Sequence, residues 1–552
     1  MRFSHGTGRW SMYRRSKSGL YLPPNVKGYS EGGASLTRRA IRGMNSAMSG
    51  SPREDIDLNN YTLRQRGRIL YMVSPIAASV INTNRTNIVG TGLTLRATID
   101  RNVLGLTREQ AREWEHRAEA EFALWANDRQ ACDALGVNNF YELQQVAVKS
   151  WLMTGDVFAV IQRAPRTKMQ PYSMRIHLVE ADRISTPGEF GGYAISGQAV
   201  GLIPPGYPGA GNAIYDGVEV DPSGKVVAYY VCSCYPLEIL PHKPMEWTRV
   251  LVSGDRTGMP NILQMSECER PDQYRGVPLL AQAIEPILQM RRYTDAELTA
   301  AIVQSYHTAW ITTTADPNAI PFNETGPGDI GYEDEISDDE SEYEMGPGTV
   351  FHLKEGEEIK FGNPNVPTTG YDAFMKSNLR MVGAGMDIAY DQFMKEYDAS
   401  YSAARAAQQD SWRGFLMRRQ WAVNDFCIPV YQSFLSEAVA TGRLNAPGFF
   451  TDPLLRKAWC GCKWVGPSQV SLDPLKEVSA AVMQIQHGIK THSQVTREMG
   501  GGEWLDNMEQ LAEEMEILKA AGLTPAPPPT EDRNDGEQQQ EEDDSNAEVD
   551  AQ

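Results

Sequence analysis

Apolar positions along the chain recur with two periods. From Tyr61 to Ile88 they keep helical spacing, with a break expected at Pro75. Gly90 and Gly92 end that run, and Leu93, Leu95 and Ala97 then alternate as a strand does. Thr107 and Gln110 have the spacing of a capping box, so a second helix is predicted from Thr107. Ala111, Trp114, Ala118, Phe122 and Trp125 would share one of its faces. A third helix carries Phe140, Leu143, Ala147 and Trp151 and stops at Gly155; Val157 to Ile161 follows as a buried strand. Residues 175 to about 252 read as mainly β, with strands at Arg175 to Val179, Val218 to Val220, Val226 to Val231 and Arg249 to Val252. Asp221, Pro222, Ser223 and Gly224 form a turn signal, so a hairpin is expected there.

The second half returns to helical spacing. A long helix is predicted from Pro278 to about Tyr306, roughly 40 Å in length, bent at Pro286. Another begins near Tyr371, with Met375, Leu379, Val382 and Met386 on its face and Gly383 and Gly385 weakening its end. A third covers Tyr401 to Ala440, with Phe415, Ala422, Phe426, Val430 and Phe434 on one side and a kink at Pro429. Shorter helices run from Asp473 to about Ala521. The stretch Asp316 to Gly348 breaks every pattern. It holds Pro317, Pro321, Pro327 and Pro347, and an acidic run with Glu333, Asp338, Asp339 and Glu342 that contains no basic residue. Like charges repel, so an exposed loop is expected.

Composition bounds what such a chain does. At 552 residues and 41% hydrophobic content it exceeds one compact core and can bury a sizeable interior. Its net charge of -19 argues against a protein that grips nucleic acid over its whole surface. The charge is uneven. From Arg2 to Arg42 the cations face only Glu31, and from Glu531 to Asp550 the acids face only Arg533. Both ends read as flexible arms that meet different partners. Seven cysteines in a chain this long make no disulfide scaffold, which suits a reducing cytoplasm. The start lacks the apolar core of a secretory leader, and no run of about 18 apolar residues suggests a membrane span.

Candidate chemistry is sparse. Gly224-Lys225 lacks the upstream Gly and following Ser or Thr of a phosphate-binding loop. Gly28-Tyr29-Ser30-Glu31-Gly32 matches G-x-S-x-G, but a nucleophile elbow needs a strand before it and a helix after it, and Ser30 lies in the basic arm. Cys232 and Cys234 with Cys460 and Cys462 could supply four thiolates to zinc, yet the pairs lack C-x2-C spacing; structural cysteines are the simpler reading. The motifs therefore nominate no catalytic residue, no metal ligand and no cofactor. Alone they support a large acidic α/β assembly component.

Several segments, in order, take the reading further. They are S-P-I-A-A-S-V-I-N-T-N-R-T-N-I-V-G-T-G-L at 74–93, W-L-M-T-G-D-V-F-A-V at 151–160, V-E-A-D-R-I-S-T-P at 179–187 and G-V-E-V-D-P-S-G-K-V-V-A-Y-Y-V at 217–231. The most specific is R-P-D-Q-Y-R-G-V-P-L-L-A-Q-A-I-E-P at 270–286, followed by R-Y-T-D-A-E-L-T-A-A at 292–301, P-G-T-V at 347–350 and Y-S-A-A-R-A at 401–406. This ordered set resembles the lambda family of phage portal proteins over about residues 55 to 520.

The resemblance implies an α+β, helix-rich portal fold with long stem helices, a mixed α/β wing, a small clip and a helical crown. The expected division is a flexible basic arm at 1–50, wing and body at 51–277, a first stem helix at 278–306 and a clip at 307–369 with the acidic loop 329–344. A second stem helix at 370–391, a tunnel loop at 392–400, wing and crown helices at 401–521 and a disordered acidic tail at 522–552 follow. It further implies a homo-oligomeric ring, usually a dodecamer, at one capsid vertex of the virion, assembled in the host cytoplasm. The expected partners are the terminase large subunit, major capsid and scaffold proteins, head-completion and tail proteins, and double-stranded DNA in the channel. A different ring-forming minor capsid protein or head-tail adaptor is the alternative. Such a ring hydrolyses nothing itself. Lys395 in the tunnel loop is the candidate DNA contact, against a surface lysine paired with Glu396. Tyr274, Arg275, Tyr293 and Glu297 are candidates for stem and ring packing, and Glu333, Asp338, Asp339 and Glu342 for the clip's docking face. DNA must slide without sticking, so a neutral or acidic channel is expected.

Overall fold

The computed structural model describes residues 49–190, 200–236, 238–240, 243–305, 309–313, 357–361, 370–396, 400–469, 474–499 and 504–522. The fold is α+β. A π-helical turn, Arg53–Asp57, leads into α1 (Leu58–Val73) and α2 (Pro75–Ile88). Their boundary is the expected one: Ser74 is extended, its hydroxyl accepts from the Ala77 N–H, and Pro75 takes the first helical position, where a missing N–H costs nothing. Strand β1 (Thr94–Ala97) and the short α3 (Arg101–Leu104) precede α4 (Arg108–Ala126), which has the predicted Thr107–Gln110 capping box. After the short α5 (Arg129–Cys132), α6 (Phe140–Thr154) opens on a second capping box, Asn139 with Glu142, and ends at Gly155.

The β-rich part forms two sheets. Strands β2 (Asp156–Arg163) and β3 (Met174–Glu180) pair antiparallel, and β4 (Val200–Leu202), β5 (Ala213–Tyr215), β6 (Val218–Val220), β7 (Val226–Cys232) and β8 (Trp247–Leu251) form a five-stranded meander. The predicted hairpin joins β6 to β7: Asp221 Oδ1 accepts from the N–H groups of Ser223 and Lys225, and Gly224 takes φ +91°. Strand β9 (Ile262–Ser266), which alternation did not predict, completes the first sheet in the order β3-β2-β9.

The long predicted helix begins later than expected. Residues 281–283 are a 3₁₀ turn and α7 runs Ile284–Ser305. Pro286 thus lies in its first turn, where its missing N–H costs no helical hydrogen bond. Strands β10 (Ala309–Thr313) and β11 (Glu357–Phe361) pair antiparallel, before α8 (Tyr371–Ala384) and α9 (Tyr390–Met394). The expected tunnel loop at 392–400 is corrected at its start, because Gln392 to Met394 finish α9. Two anchors hold that helix: Phe393 is buried, and its carbonyl accepts from the Ser79 hydroxyl. Next come α10 (Tyr401–Ala422) and α11 (Ile428–Ala440), joined by a π-helical turn, Val423–Cys427. The disturbance expected at Pro429 takes this form: a proline ring collides with the carbonyl four residues back, and the wider turn before it relieves the collision. The chain closes with α12 (Pro453–Trp459), β12 (Cys462–Val465), α13 (Pro474–Gln486), α14 (His492–Glu498) and α15 (Trp504–Ala520).

Distant segments share one core. Strand β1 pairs with β12, Leu95 opposite Trp464. The Phe122 ring meets Phe140 at 5.5 Å and Phe434 at 5.2 Å, edge to face, so α4, α6 and α11 close around one aromatic cluster. Such pairs add about 0.5–1.5 kcal/mol each beyond their buried area.

The other organising feature is polar. Arg275 has no exposed surface; its Nε and Nη2 grip both oxygens of Asp156 at 2.6 and 3.1 Å, and its Nη1 reaches Asp216 at 2.9 Å. Arg64 on α1 bonds Asp216 at 2.8 Å and Asp182 at 3.1 Å. Gly155 and Gly276 pass backbone to backbone, and a Cβ on Gly276 would collide with the Gly155 carbonyl. Beside this cluster Asp57 is buried and neither of its carboxylate oxygens has a hydrogen-bond partner among the described residues.

Arg275→Met is expected to leave Asp156 without its bidentate partner in a buried setting. The cost should be about 3–5 kcal/mol, read as a lowered urea midpoint; a loss under about 1 kcal/mol would remove the cluster from this role. Asp57 predicts a pH effect. Burial, then repulsion from Asp216, pushes its carboxyl from 3.8 up to about 7. An acid raised by folding stabilises fully below its unfolded value and loses that contribution as pH rises through the folded one. Stability from this group should therefore decline between about pH 4 and about pH 7, and Asp57→Asn should abolish the decline. Parallel stability–pH curves for the two proteins would count against it.

Candidate functional site

The start of α8 meets α7 near the middle of that helix. Tyr293 stacks on Tyr371 at 5.6 Å and meets Phe374 edge-on at 4.9 Å, while the Thr294 hydroxyl lies 3.1 Å from that of Tyr371. Before this contact α7 is rooted in the core by Ile287 and Met290. Beyond it the helix has no buried side chain among the described residues: Leu298 is 61% and Ile302 49% exposed. On α8, Phe374 and Met381 are 50% and 59% exposed. Leu298 and Ile302 are one helical turn apart and Phe374 and Met381 two, so each pair forms an apolar stripe.

Charge on these helices is balanced. On α7, Arg291 and Arg292 oppose Glu285, Asp295 and Glu297; on α8, Lys376 and Arg380 oppose Asp372. Four cations thus meet four anions.

Past α8 the chain turns sharply. Gly383 admits no side chain, because a Cβ there would press on the Ile388 carbonyl and the Phe393 ring. Lys395 caps α9 in the left-handed region, φ +58°, and is exposed. Its neighbour Glu396 binds Lys376 on α8 at 2.6 Å and accepts from the Tyr390 hydroxyl. The pairing of Lys395 with Glu396 is thereby corrected: the carboxylate faces α8. Glu396 and Asp372 hold the Lys376 ammonium above its ordinary range, and burial, then Glu396, pushes the Tyr390 phenol up to about 12.

The other expected residues fall differently. Arg275 is wholly enclosed and bonded within its own subunit, so it is a body residue and no ring contact. Tyr274 also works inside the chain: it stacks on Tyr215 at 5.8 Å, and its hydroxyl donates to Gly224 O and accepts from Arg53. Tyr293 does join the two helices, and half-buried Glu297 lies one turn farther along α7. Glu333, Asp338, Asp339, Glu342 and Ser30 lie outside the described residues, as do the basic arm to residue 48 and the tail from residue 523. The cysteine pairs stay apart, Cys232 ending β7 and Cys462 starting β12, and among the described residues no three His, Cys, Asp or Glu side chains group as a metal site. No helix among them is long and apolar enough to cross a membrane. The exposed stripes of α7 and α8 were missed because helical spacing marks an apolar face without saying whether the same chain covers it.

Comparison with known proteins gives a consistent picture. The family described as phage portal protein, lambda family, matches residues 37–419. Portal protein B of Escherichia phage lambda is 26% identical over 494 residues, spanning 86% of this chain and 88% of that protein. The portal protein of Escherichia phage N15 is 25% identical over 519 residues, spanning 90% and 92%. Among solved structures, a chain from the neck of a native GTA particle, computed with C12 symmetry, is similar at 11% identity with a TM-score of 0.39, over 80% of this chain and 93% of that one.

Proposed function

The chain belongs to the lambda family of phage portal proteins, and on that premise we propose that α7 and α8 are the stem of a twelve-membered ring through which double-stranded DNA passes. The observation that carries the reading is the bare outer half of α7 together with the exposed apolar stripe of α8. A helix of 22 residues, about 33 Å long, that leaves Leu298 and Ile302 in water is incomplete as a monomer. Covering each such side chain with a neighbouring subunit contributes about 2 kcal/mol, repeated at every interface of the ring. The equal count of cations and anions on the two helices supports a wall that neither binds nor strongly repels phosphates.

In this reading residues 307–369 form the clip, where the terminase large subunit docks during packaging and head-completion and tail proteins dock afterwards. The acidic residues Glu333, Asp338, Asp339 and Glu342 would face those partners. Assembly takes place in the host cytoplasm with scaffold and major capsid proteins, and ATP hydrolysis belongs to the motor. Lys395, at the turn between the second stem helix and α10, touches passing phosphates as a sliding contact.

Leu298→Glu combined with Ile302→Glu should leave the circular dichroism spectrum and melting temperature of the subunit nearly unchanged and abolish rings in negative-stain images. Normal rings from that double variant would contradict the assignment of the stem. Lys395→Ala should assemble normally and yield heads with less packaged DNA, with Lys395→Arg restoring it. Equal DNA content in all three would rule the contact out.

A further inference from the structure

A cavity of about 580 Å³ lies between the end of β2, the loop before β9, helix α11 and the start of α12, in the body and away from α7 and α8. Four arginines line it: Arg163, Arg166, Arg256 and Arg456. Two acids, Glu437 and Asp452, oppose them, which leaves two positive charges in a chain whose net charge is -19. Both acids are already engaged. Glu437 is buried and accepts from Arg163 Nη1 at 2.5 Å, from Arg166 Nε at 3.1 Å, and from the N–H groups of Ser173 and Met174 at 2.6 and 3.1 Å. Asp452 caps α12 by accepting from the Leu454 N–H at 2.8 Å. Glu437 thus fixes two guanidiniums in place without using all their donors, since each carries five N–H groups. Arg256 is exposed, and the Arg456 guanidinium lies over the Phe449 ring at 5.6 Å.

An independent observation points to a ligand. Ser433 lines the cavity and has no exposed surface, and its hydroxyl has no hydrogen-bond partner among the described residues. Buried hydroxyls are nearly always paired, so one left open beside four guanidiniums marks a place for an incoming acceptor.

We propose that this cavity binds a phosphoryl group. Four guanidiniums and a free hydroxyl offer more donors than the two oxygens of one carboxylate can accept, whereas a phosphoryl group brings three acceptor oxygens. A phosphate monoester or inorganic phosphate carries a charge of about -1.5 to -2 near pH 7, which matches the surplus of the lining. Two sources share this chemistry: free phosphate, and a phosphorylated DNA end. The second rests on the portal reading and the first does not, so failure of the ring assay above leaves the phosphate site standing.

The test uses the full chain. Inorganic phosphate is titrated by calorimetry, and a labelled short duplex with 5′-phosphates by anisotropy, for the unaltered protein, Arg256→Gln and Ser433→Ala. Arg256 is exposed and the Ser433 hydroxyl bonds to nothing described, so both variants should fold, which their melting curves check. Phosphate should saturate the unaltered protein, with affinity reduced about tenfold by Arg256→Gln, as expected for one charge-assisted hydrogen bond. Ser433→Ala should weaken it several-fold. Competition by the duplex identifies a DNA end as the source, and its absence identifies free phosphate. Lack of saturation, equal affinity in all three proteins, or stronger displacement by a polyglutamate peptide than by phosphate would overturn the proposal.

Discussion

Arg275 and its two aspartates hold together segments that are far apart in sequence and must be adjacent for any long helix to leave the body at a fixed angle. Asp156 opens β2, Asp216 sits in the turn between β5 and β6, and Arg64 lies on α1. Arg275 also donates to the carbonyls of Ala181 and Ile184, so a fourth segment joins. A buried ion cluster adds little net stability over an apolar one, since desolvation offsets most of its Coulomb attraction. Its effect is positional: guanidinium forks accept only a narrow range of carboxylate geometries, and a misplaced strand leaves a charge stranded. The backbone contact of Gly155 with Gly276 tightens the fit further, because neither position admits a side chain. Nine residues after Arg275 helix α7 begins, so its root is set by this cluster.

The same cluster explains why the sequence was readable in one respect and misleading in another. The segments at 151–160, 179–187 and 270–286 that signalled the family contribute Asp156, Ala181, Asp182, Ile184 and Arg275 to one buried site. These segments meet inside the body, and Arg275 is a fastening there instead of a ring contact. Helices, caps and the 221–224 hairpin were legible because their causes are local: period, a cap residue, a glycine at positive φ. The pairing of β1 with β12, the strand β9 and the short α9 depend on partners far away, which spacing does not encode. Of the candidate site, Tyr293 was named through the family resemblance, as a stem-packing candidate. The exposure of Leu298 and Ile302 was not, since only the folded body shows what fails to cover them.

Charge is distributed by region in a way that composition conceals. The net value of -19 belongs to the whole chain, while α7 and α8 balance four cations against four anions and one body cavity carries four arginines. A uniformly acidic surface would repel DNA everywhere and a basic stem would bind it with steep salt dependence. If α7 and α8 form the stem of a DNA channel, separating these charge-balanced helices from local basic sites would allow contact with phosphate at chosen points and passage elsewhere.

Packing is divided between the body and the outer half of α7 along the same line. The aromatic cluster of Phe122, Trp125, Phe140 and Phe434 closes α4, α6 and α11 within a single chain. Helix α7 gains packing from Ile287, Met290 and Tyr293 and then runs on with no cover among the described residues. An isolated helical half of that kind is marginal in water, since most helix stability in proteins comes from burial of an apolar face. On the proposed stem reading, neighbouring subunits would supply its cover. In that case folding would precede assembly: the buried cluster fixes the direction in which α7 departs, and neighbouring subunits would then cover what the body leaves bare.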